Sequence, residues 1–150
     1  VIGNDMYGNE FVSLMEKQKL STQAIIRSDK RATTVKTRVI GNNHHLLRVD
    51  EEIESEVSKA ETNQLIEKIS FLIKSNAIDV VVFEDYDKGV ITSELILKVV
   101  IESSKKKIPV AVDPKKKNFQ FYKNITLFKP NLKELREGIK KEINIALRPW

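Results

Sequence analysis

The 150 residues contain no cysteine, which excludes a disulfide framework and any thiolate metal site. No apolar run approaches the roughly 18 to 20 residues that cross a bilayer, and the first residues lack the basic-then-apolar pattern of a secretory signal. The five glycines, at 3, 8, 41, 89 and 138, are too few and too scattered for a Walker-type Gly-x-x-x-x-Gly-Lys loop. There is no serine-nucleophile motif, and the few aromatics do not form the basic, aromatic-rich sheet that stacks bases. The two histidines, His44 and His45, are adjacent, have no carboxylate or second histidine at metal-ligand spacing, and read as surface turn residues. These absences fit a cytoplasmic protein without a membrane partner.

What is present is 41% apolar residues, enough for one real core in a chain of this length. Charge is uneven. Residues 1–102 hold 13 Lys+Arg against 17 Asp+Glu, residues 103–150 hold 13 against 4, and the last third alone is therefore +9. Such asymmetry marks either a lysine-rich solvated surface or contact with nucleic acid, acidic lipid or a phosphorylated small molecule. Val1 is not an initiator methionine, and Arg148-Pro149-Trp150 follow a helical stretch without a terminating signal, so the expectation is an internal fragment.

Phe11, Leu14 and Met15 have the i, i+3, i+4 spacing of an amphipathic helix over residues 7–19. The β-branched run 33–40 and the segment 45–50 flank Gly41-Asn42-Asn43-His44, which predicts a hairpin. Alternation puts Thr34, Lys36, Arg38 and Ile40 on one face, while a turn ambiguous by one residue leaves the face of Arg48 open. Ser58-Lys59-Ala60-Glu61 is a capping box opening a second helix. The apolar run 78–83 predicts a strand covered on both faces. Thr92 caps a third helix carrying Leu95, Ile96, Val99 and Val100, whose end Lys105-Lys106-Lys107 complements the dipole. Strands at 108–112 and 125–128 follow, and a helix opens at Lys129-Pro130-Asn131.

Strands alternating with helices imply crossover connections and a mostly parallel sheet flanked by helices, an α/β architecture of three layers. Ligands of such sheets collect at the loops that leave the carboxyl ends of the strands. Three loops qualify: Glu84–Gly89, Asp113–Asn118 and Lys129–Glu134. Each has two readings. Asn131 and Glu134 form a helix cap, or they offer a phosphate and magnesium site at a helix N-terminus. Asp113-Pro114-Lys115 is a turn, or it presents a lysine to a transferring phosphoryl group. Asp85-Tyr86-Asp87-Lys88-Gly89 is a solvated turn eased by glycine, or one wall of a site.

Val1–Gly8 holds a Gly-x-Asp-x-x-Gly element. Together with Thr33–Ile40, Leu47–Asp50, Asp85–Val90, Val112–Lys115 and Lys129–Glu134, in this order, it resembles the ribokinase family, the sugar kinases of the phosphofructokinase-B type. Within that family the pattern is most similar to heptose 7-phosphate kinases, including the kinase half of bifunctional enzymes that make ADP-heptose. The resemblance spans residues 1–138. It implies a partial three-layer ribokinase-like fold, with a hairpin lid at about 33–50, an α/β core at about 58–138, and the N- and C-terminal parts of the domain lying outside this chain. It implies ATP and Mg2+ as cofactors, with Asn131 and Glu134 organising magnesium through water and the nucleotide phosphates, and Lys115 near those phosphates. Lys36, Arg38, Arg48, Asp85 and Lys88 would contact a sugar already bearing a phosphate, and the hairpin would support a homodimer. The implied reaction is transfer of the ATP γ-phosphate to the anomeric hydroxyl of heptose 7-phosphate, for lipopolysaccharide core sugars.

Two departures accompany the resemblance. Asp87 stands where close relatives frequently have glycine. The Gly-Ala-Gly-Asp segment that supplies the family's anion hole and catalytic base is absent, so no residue of this chain is assigned as catalytic and the chain alone is expected to be inactive. Competing expectations are a non-catalytic phosphosugar or nucleotide binding module of the same fold, and a nucleic-acid binder using the basic last third.

Overall fold

In the computed structural model, residues 1–75 and 78–139 are described. The helical stretch expected ahead of Arg148 lies outside them. In chain order the elements are β1 (Ile2–Gly3), α1 (Met6–Lys17), β2 (Arg27–Ser28), β3 (Val35–Gly41), β4 (His44–Glu51), α2 (Lys59–Lys74), β5 (Val81–Glu84), α3 (Ser93–Lys105), β6 (Val110–Asp113), β7 (Leu127–Phe128) and α4 (Leu132–Ile139). A short 3-10 turn, Lys116–Asn118, sits between β6 and β7. Strands β5, β6 and β7 form a parallel sheet in that order, β1 pairs in parallel with β2, and β3 pairs antiparallel with β4. The architecture is α/β with a mostly parallel sheet. Among the described residues no helix is long and apolar enough to cross a membrane.

Helix starts follow from local chemistry. Asp5 accepts a hydrogen bond from the Gly8 N–H at 2.7 Å, Thr92 accepts one from Leu95 at 3.2 Å, and Ser58 and Glu61 complete a reciprocal capping box. The core lies on one face of the β5–β7 sheet. Phe83, Val110 and Val112 meet Leu65 and Ile73 of α2 and Leu95, Ile96 and Val99 of α3.

The strand expected at 78–83 is shifted and shorter, at Val81–Glu84, and among the described residues only one of its faces is covered. Val82 is 54% exposed and Leu127 56%, because among the described residues the helices that build the core pack on the side of Phe83. The apolar stripe of α1 is also open, with Leu14 52% exposed. Amphipathic spacing marks a face that can be buried; it does not supply the covering element.

The hairpin forms with its turn at Asn42 and Asn43, both at positive φ (49° and 61°), the geometry of a two-residue I′ turn. The register settles the face of Arg48. Arg38 lies opposite Arg48 and Lys36 opposite Asp50, so these four share one face, while Val39 opposite Leu47 and Thr37 opposite Val49 form the other. A bulge between Val39 and Ile40 shifts the register near the turn.

Candidate functional site

The carboxyl ends of β5 and β6 are side by side, because Glu84 pairs with Asp113 and the Asp85 N–H donates to the Asp113 carbonyl at 3.1 Å. The loops that leave them are therefore neighbours. Asp85 turns inward: one carboxylate oxygen accepts from the Asn118 amide at 2.9 Å and the Tyr122 hydroxyl at 2.8 Å, and the other from the Asp87 N–H at 2.9 Å. Burial, and after it the hydrogen bond to Asp85, pushes the Tyr122 phenol far above its ordinary range. Asp87 takes a left-handed conformation (φ 53°), which glycine adopts at no steric cost and a residue with a Cβ adopts less readily. Gly89 is also left-handed (φ 72°), and a Cβ there would lie 1.9 Å from the Ser55 carbonyl oxygen.

That close approach draws the chain leaving the hairpin against the β5 loop. Arg31 fixes the crossing by donating to the carbonyls of Ile53 (2.6 Å), Ser55 (2.9 Å) and Lys88 (2.6 Å). The Val57 N–H adds a bond to the Gly89 carbonyl at 2.9 Å. A cavity of about 400 Å³ results, lined among others by Thr34 and Lys36 on the hairpin side, Glu52 past the end of β4, and Glu84, Asp85 and Lys88. The Glu52 carboxylate bridges Lys88 at 2.6 Å and Lys36 at 2.9 Å. Those ammonium groups, Lys88 first, hold the Glu52 carboxyl below the usual range, and the same pairing, with Glu54 second, raises Lys88. Lys36 also approaches Asp50 (3.5 Å), which pairs with Arg48 (2.8 Å).

A second cluster stands at the start of α4. Asn131 and Glu134 are reciprocal caps: the Glu134 N–H donates to the Asn131 side chain at 2.9 Å, and the Asn131 N–H to the Glu134 carboxylate at 2.8 Å. The other carboxylate oxygen of buried Glu134 pairs with Lys115. This pairing lowers Glu134 and raises Lys115 from their ordinary values. The stretch 115–118 thus spans both clusters, with Lys115 on Glu134 and Asn118 on Asp85.

The residues expected at the site fall into three groups. Lys36, Asp85 and Lys88 line one cavity; Asn131, Glu134 and Lys115 meet at the α4 N-terminus; Arg38 and Arg48 face each other across the hairpin, beside a shallower pocket. Among the described residues no cluster of three or more His, Asp or Glu side chains could cage a metal ion. With one buried carboxylate at a helix N-terminus, the donor set fits a magnesium ion carried by nucleotide phosphates and water rather than one bound by protein oxygens alone.

Sequence reasoning missed Glu52, Arg31, Asn118 and Tyr122. Glu52 had a legible signal: Asp50, Glu52 and Glu54 are two apart, and in an extended chain they share a face with Lys36 and Arg38. The other three had none, because their partners are 24 or more residues away or are backbone carbonyls.

Comparison with known proteins places these observations in a family. The family model described as pfkB family carbohydrate kinase matches residues 1–146. The chain is 32% identical over 139 residues to the bifunctional protein HldE of Helicobacter pylori (strain HPAG1), covering 93% of this chain and 30% of that protein. It is 36% identical over 143 residues to the bifunctional protein HldE of Sulfurimonas denitrificans, with 95% and 30% covered. The chain thus spans under a third of the length of these relatives. Among solved structures, the tetrameric inhibited form of phosphofructokinase-2 from Escherichia coli superposes with a TM-score of 0.68 at 18% identity, over 97% of this chain and 47% of that one. A possible 1-phosphofructokinase from Thermotoga maritima gives 0.62 at 14% identity, over 88% and 42%. These two share the fold. With its parallel sheet, its hairpin and its charged loops at the strand ends, the chain belongs to the pfkB family of carbohydrate kinases.

Proposed function

We propose that this chain is the central part of the kinase domain of an ATP-dependent, cytoplasmic carbohydrate kinase that phosphorylates heptose 7-phosphate at its anomeric hydroxyl, the step to the 1,7-bisphosphate of ADP-heptose synthesis. The observation that carries the reading is the cavity at the strand ends, which two lysines from separate elements share, in a chain of this family. A sugar bearing a phosphate needs such cationic donors. Asp85, with both oxygens turned to Asn118, Tyr122 and Asp87, shapes that cavity and holds the loop carrying Lys88. Asn131, Glu134 and Lys115 would receive the nucleotide: free N–H groups at the helix start attract phosphate, Lys115 can pass from Glu134 to a phosphate oxygen, and Glu134 would hold the metal through water. Magnesium, when bound with the nucleotide, screens the phosphate charge. The 150 residues include no Gly-Ala-Gly-Asp segment, so the base that deprotonates the acceptor hydroxyl is supplied from outside them.

A coupled assay of ADP release with heptose 7-phosphate tests the proposal. The polypeptide carrying this chain together with the missing segment turns over, and the 150-residue chain alone does not. Asn131→Ala and Glu134→Ala each lower kcat/KM of that polypeptide by at least about a hundredfold while its fold persists. Turnover by the isolated chain overturns the assignment of the base. Absence of turnover with any phosphosugar, alongside retained nucleotide binding, favours a binding module over a kinase.

A further inference from the structure

We infer that Glu52 is a built-in occupant of the substrate-phosphate seat: its carboxylate fills the place between Lys36 and Lys88 that a phosphate monoester takes, and binding proceeds by exchange of one anion for the other. This rests on the reading of the cavity as a phosphosugar site, and it adds a residue and a coupling that the reading does not contain. One carboxylate is shared, oxygen by oxygen, between two ammonium groups, at 2.6 Å from Lys88 and 2.9 Å from Lys36. The lysines come from different elements, Lys36 from β3 and Lys88 from the loop after β5, and all three side chains line the same cavity. A phosphoryl group presents paired oxygens much as a carboxylate does, and carries more charge.

The surroundings make exchange the economical route. Arg48, Asp50, Lys36, Glu52, Lys88 and Glu54 form a ladder of alternating charge, three of each sign, linked by contacts of 2.6 to 3.5 Å. An added dianion would leave this set strongly negative unless a carboxylate withdrew. Glu52 is placed to do so, since it follows the last residue of β4 and lies on the chain joining the hairpin to the core. Because the Lys36–Glu52–Lys88 bridge also ties the hairpin to the β5 loop, phosphate entry would replace a protein–protein tie by a tie through the substrate. The lid would then rest on the ligand.

Titration of the polypeptide that carries this chain together with the rest of its kinase domain, with isotope-labelled lysines, tests this, using inorganic phosphate, heptose 7-phosphate, unphosphorylated heptose and ADP as probes. Phosphate and heptose 7-phosphate shift the Lys36 and Lys88 side-chain resonances, and heptose alone does not. Glu52→Gln tightens both phosphate ligands roughly threefold to tenfold, the gain expected from removing a competing, half-buried ion pair. Glu51→Gln makes the same change in net charge on the opposite face of the strand and alters affinity by less than about twofold. Lys88→Met abolishes binding at the seat. Equal or weaker phosphate affinity in Glu52→Gln, with hairpin amide resonances in place, overturns the inference, as does an equal gain in Glu51→Gln. If the hairpin resonances move, Glu52→Asp decides: it keeps the charge but shortens the reach to the lysines, and unchanged phosphate affinity in it overturns the exchange. Failure of the kinase reading has a different signature, heptose 7-phosphate binding no more tightly than inorganic phosphate at an intact seat. ADP shifting Lys36 and Lys88 would give the seat to nucleotide phosphates and overturn its assignment to the substrate.

Discussion

Asp85 is 3% exposed, and both of its oxygens are held: Asn118 and Tyr122 donate to one, and the Asp87 backbone to the other. A buried carboxylate that loses a donor retains its desolvation penalty, so the cost of removing Asn118 or the Tyr122 hydroxyl exceeds that of an ordinary hydrogen bond. Asn118→Ala should lower unfolding free energy by about 2–3 kcal/mol, since the amide also donates to the Ile91 carbonyl at 3.0 Å. Tyr122→Phe should cost less, about 1–2 kcal/mol, because the ring keeps its packing against Phe83 at 5.6 Å and Phe128 at 6.3 Å. Chemical denaturation midpoints at constant m-value check both, and an unaltered midpoint in Asn118→Ala would show that Asp85 finds another donor. The composition of the 85–89 loop made it conspicuous as a sequence, but not the direction of its first carboxylate. Charge density marks a loop as important, whereas pointing inward depends on Asn118 and Tyr122, more than thirty residues on.

Local elements were the most legible, because their signals lie within a few residues. The capping box at Ser58 and Glu61, the Thr92 cap and the Asn131–Glu134 pair all form as their spacing predicts. Position 89 could be read as a glycine position, though its reason, the Ser55 carbonyl in the space of a Cβ, is tertiary and came only with the fold. The cap of α2 makes a prediction about acid. Hydrogen bonds from the hydroxyls of Ser28 and then Ser58 bring the Glu61 carboxyl from 4.5 down to about 2 in the folded chain. A depressed folded value means that the charge stabilises the native state above pH 4.5 and that this contribution is lost as pH falls from there towards 2. Glu61→Gln keeps the shape and removes only the charge. It should cost on the order of 1 kcal/mol at pH 7, the worth of an anion at a helix N-terminus, and the difference from the unaltered chain should shrink as pH falls below 4.5 and vanish only below about pH 2. Urea midpoints measured at several pH values give that curve, and a constant difference across the window would assign the stabilisation to hydrogen bonding instead of charge.

Over the whole molecule, the parallel sheet was legible from the alternation of strands and helices, whereas what covers each surface was not. Residue spacing shows that a face is apolar without saying which partner lies on it. The hairpin is the clearest case. One face bears Lys36, Arg38, Arg48 and Asp50, and the other carries Val39, Leu47 and Val49, each more than two-fifths exposed. An isolated two-stranded ribbon is marginal in water, and an apolar face of this kind is normally covered. A second copy of the same hairpin, packed face to face about a two-fold axis, would cover it and leave the charged face turned to the cavity of each subunit. The sequence led to the expectation of a homodimer through the hairpin, and this face is the one on which we propose to test it. Leu47→Asp places a charge at the centre of that face, opposite Val39, and should convert the chain from dimer to monomer in sedimentation velocity, weakening association by at least about a hundredfold. Arg38→Gln changes the charged face and should leave association intact. If the chain sediments as a monomer before any substitution, or if Leu47→Asp leaves the dimer unchanged, the apolar face of the hairpin is not the subunit contact.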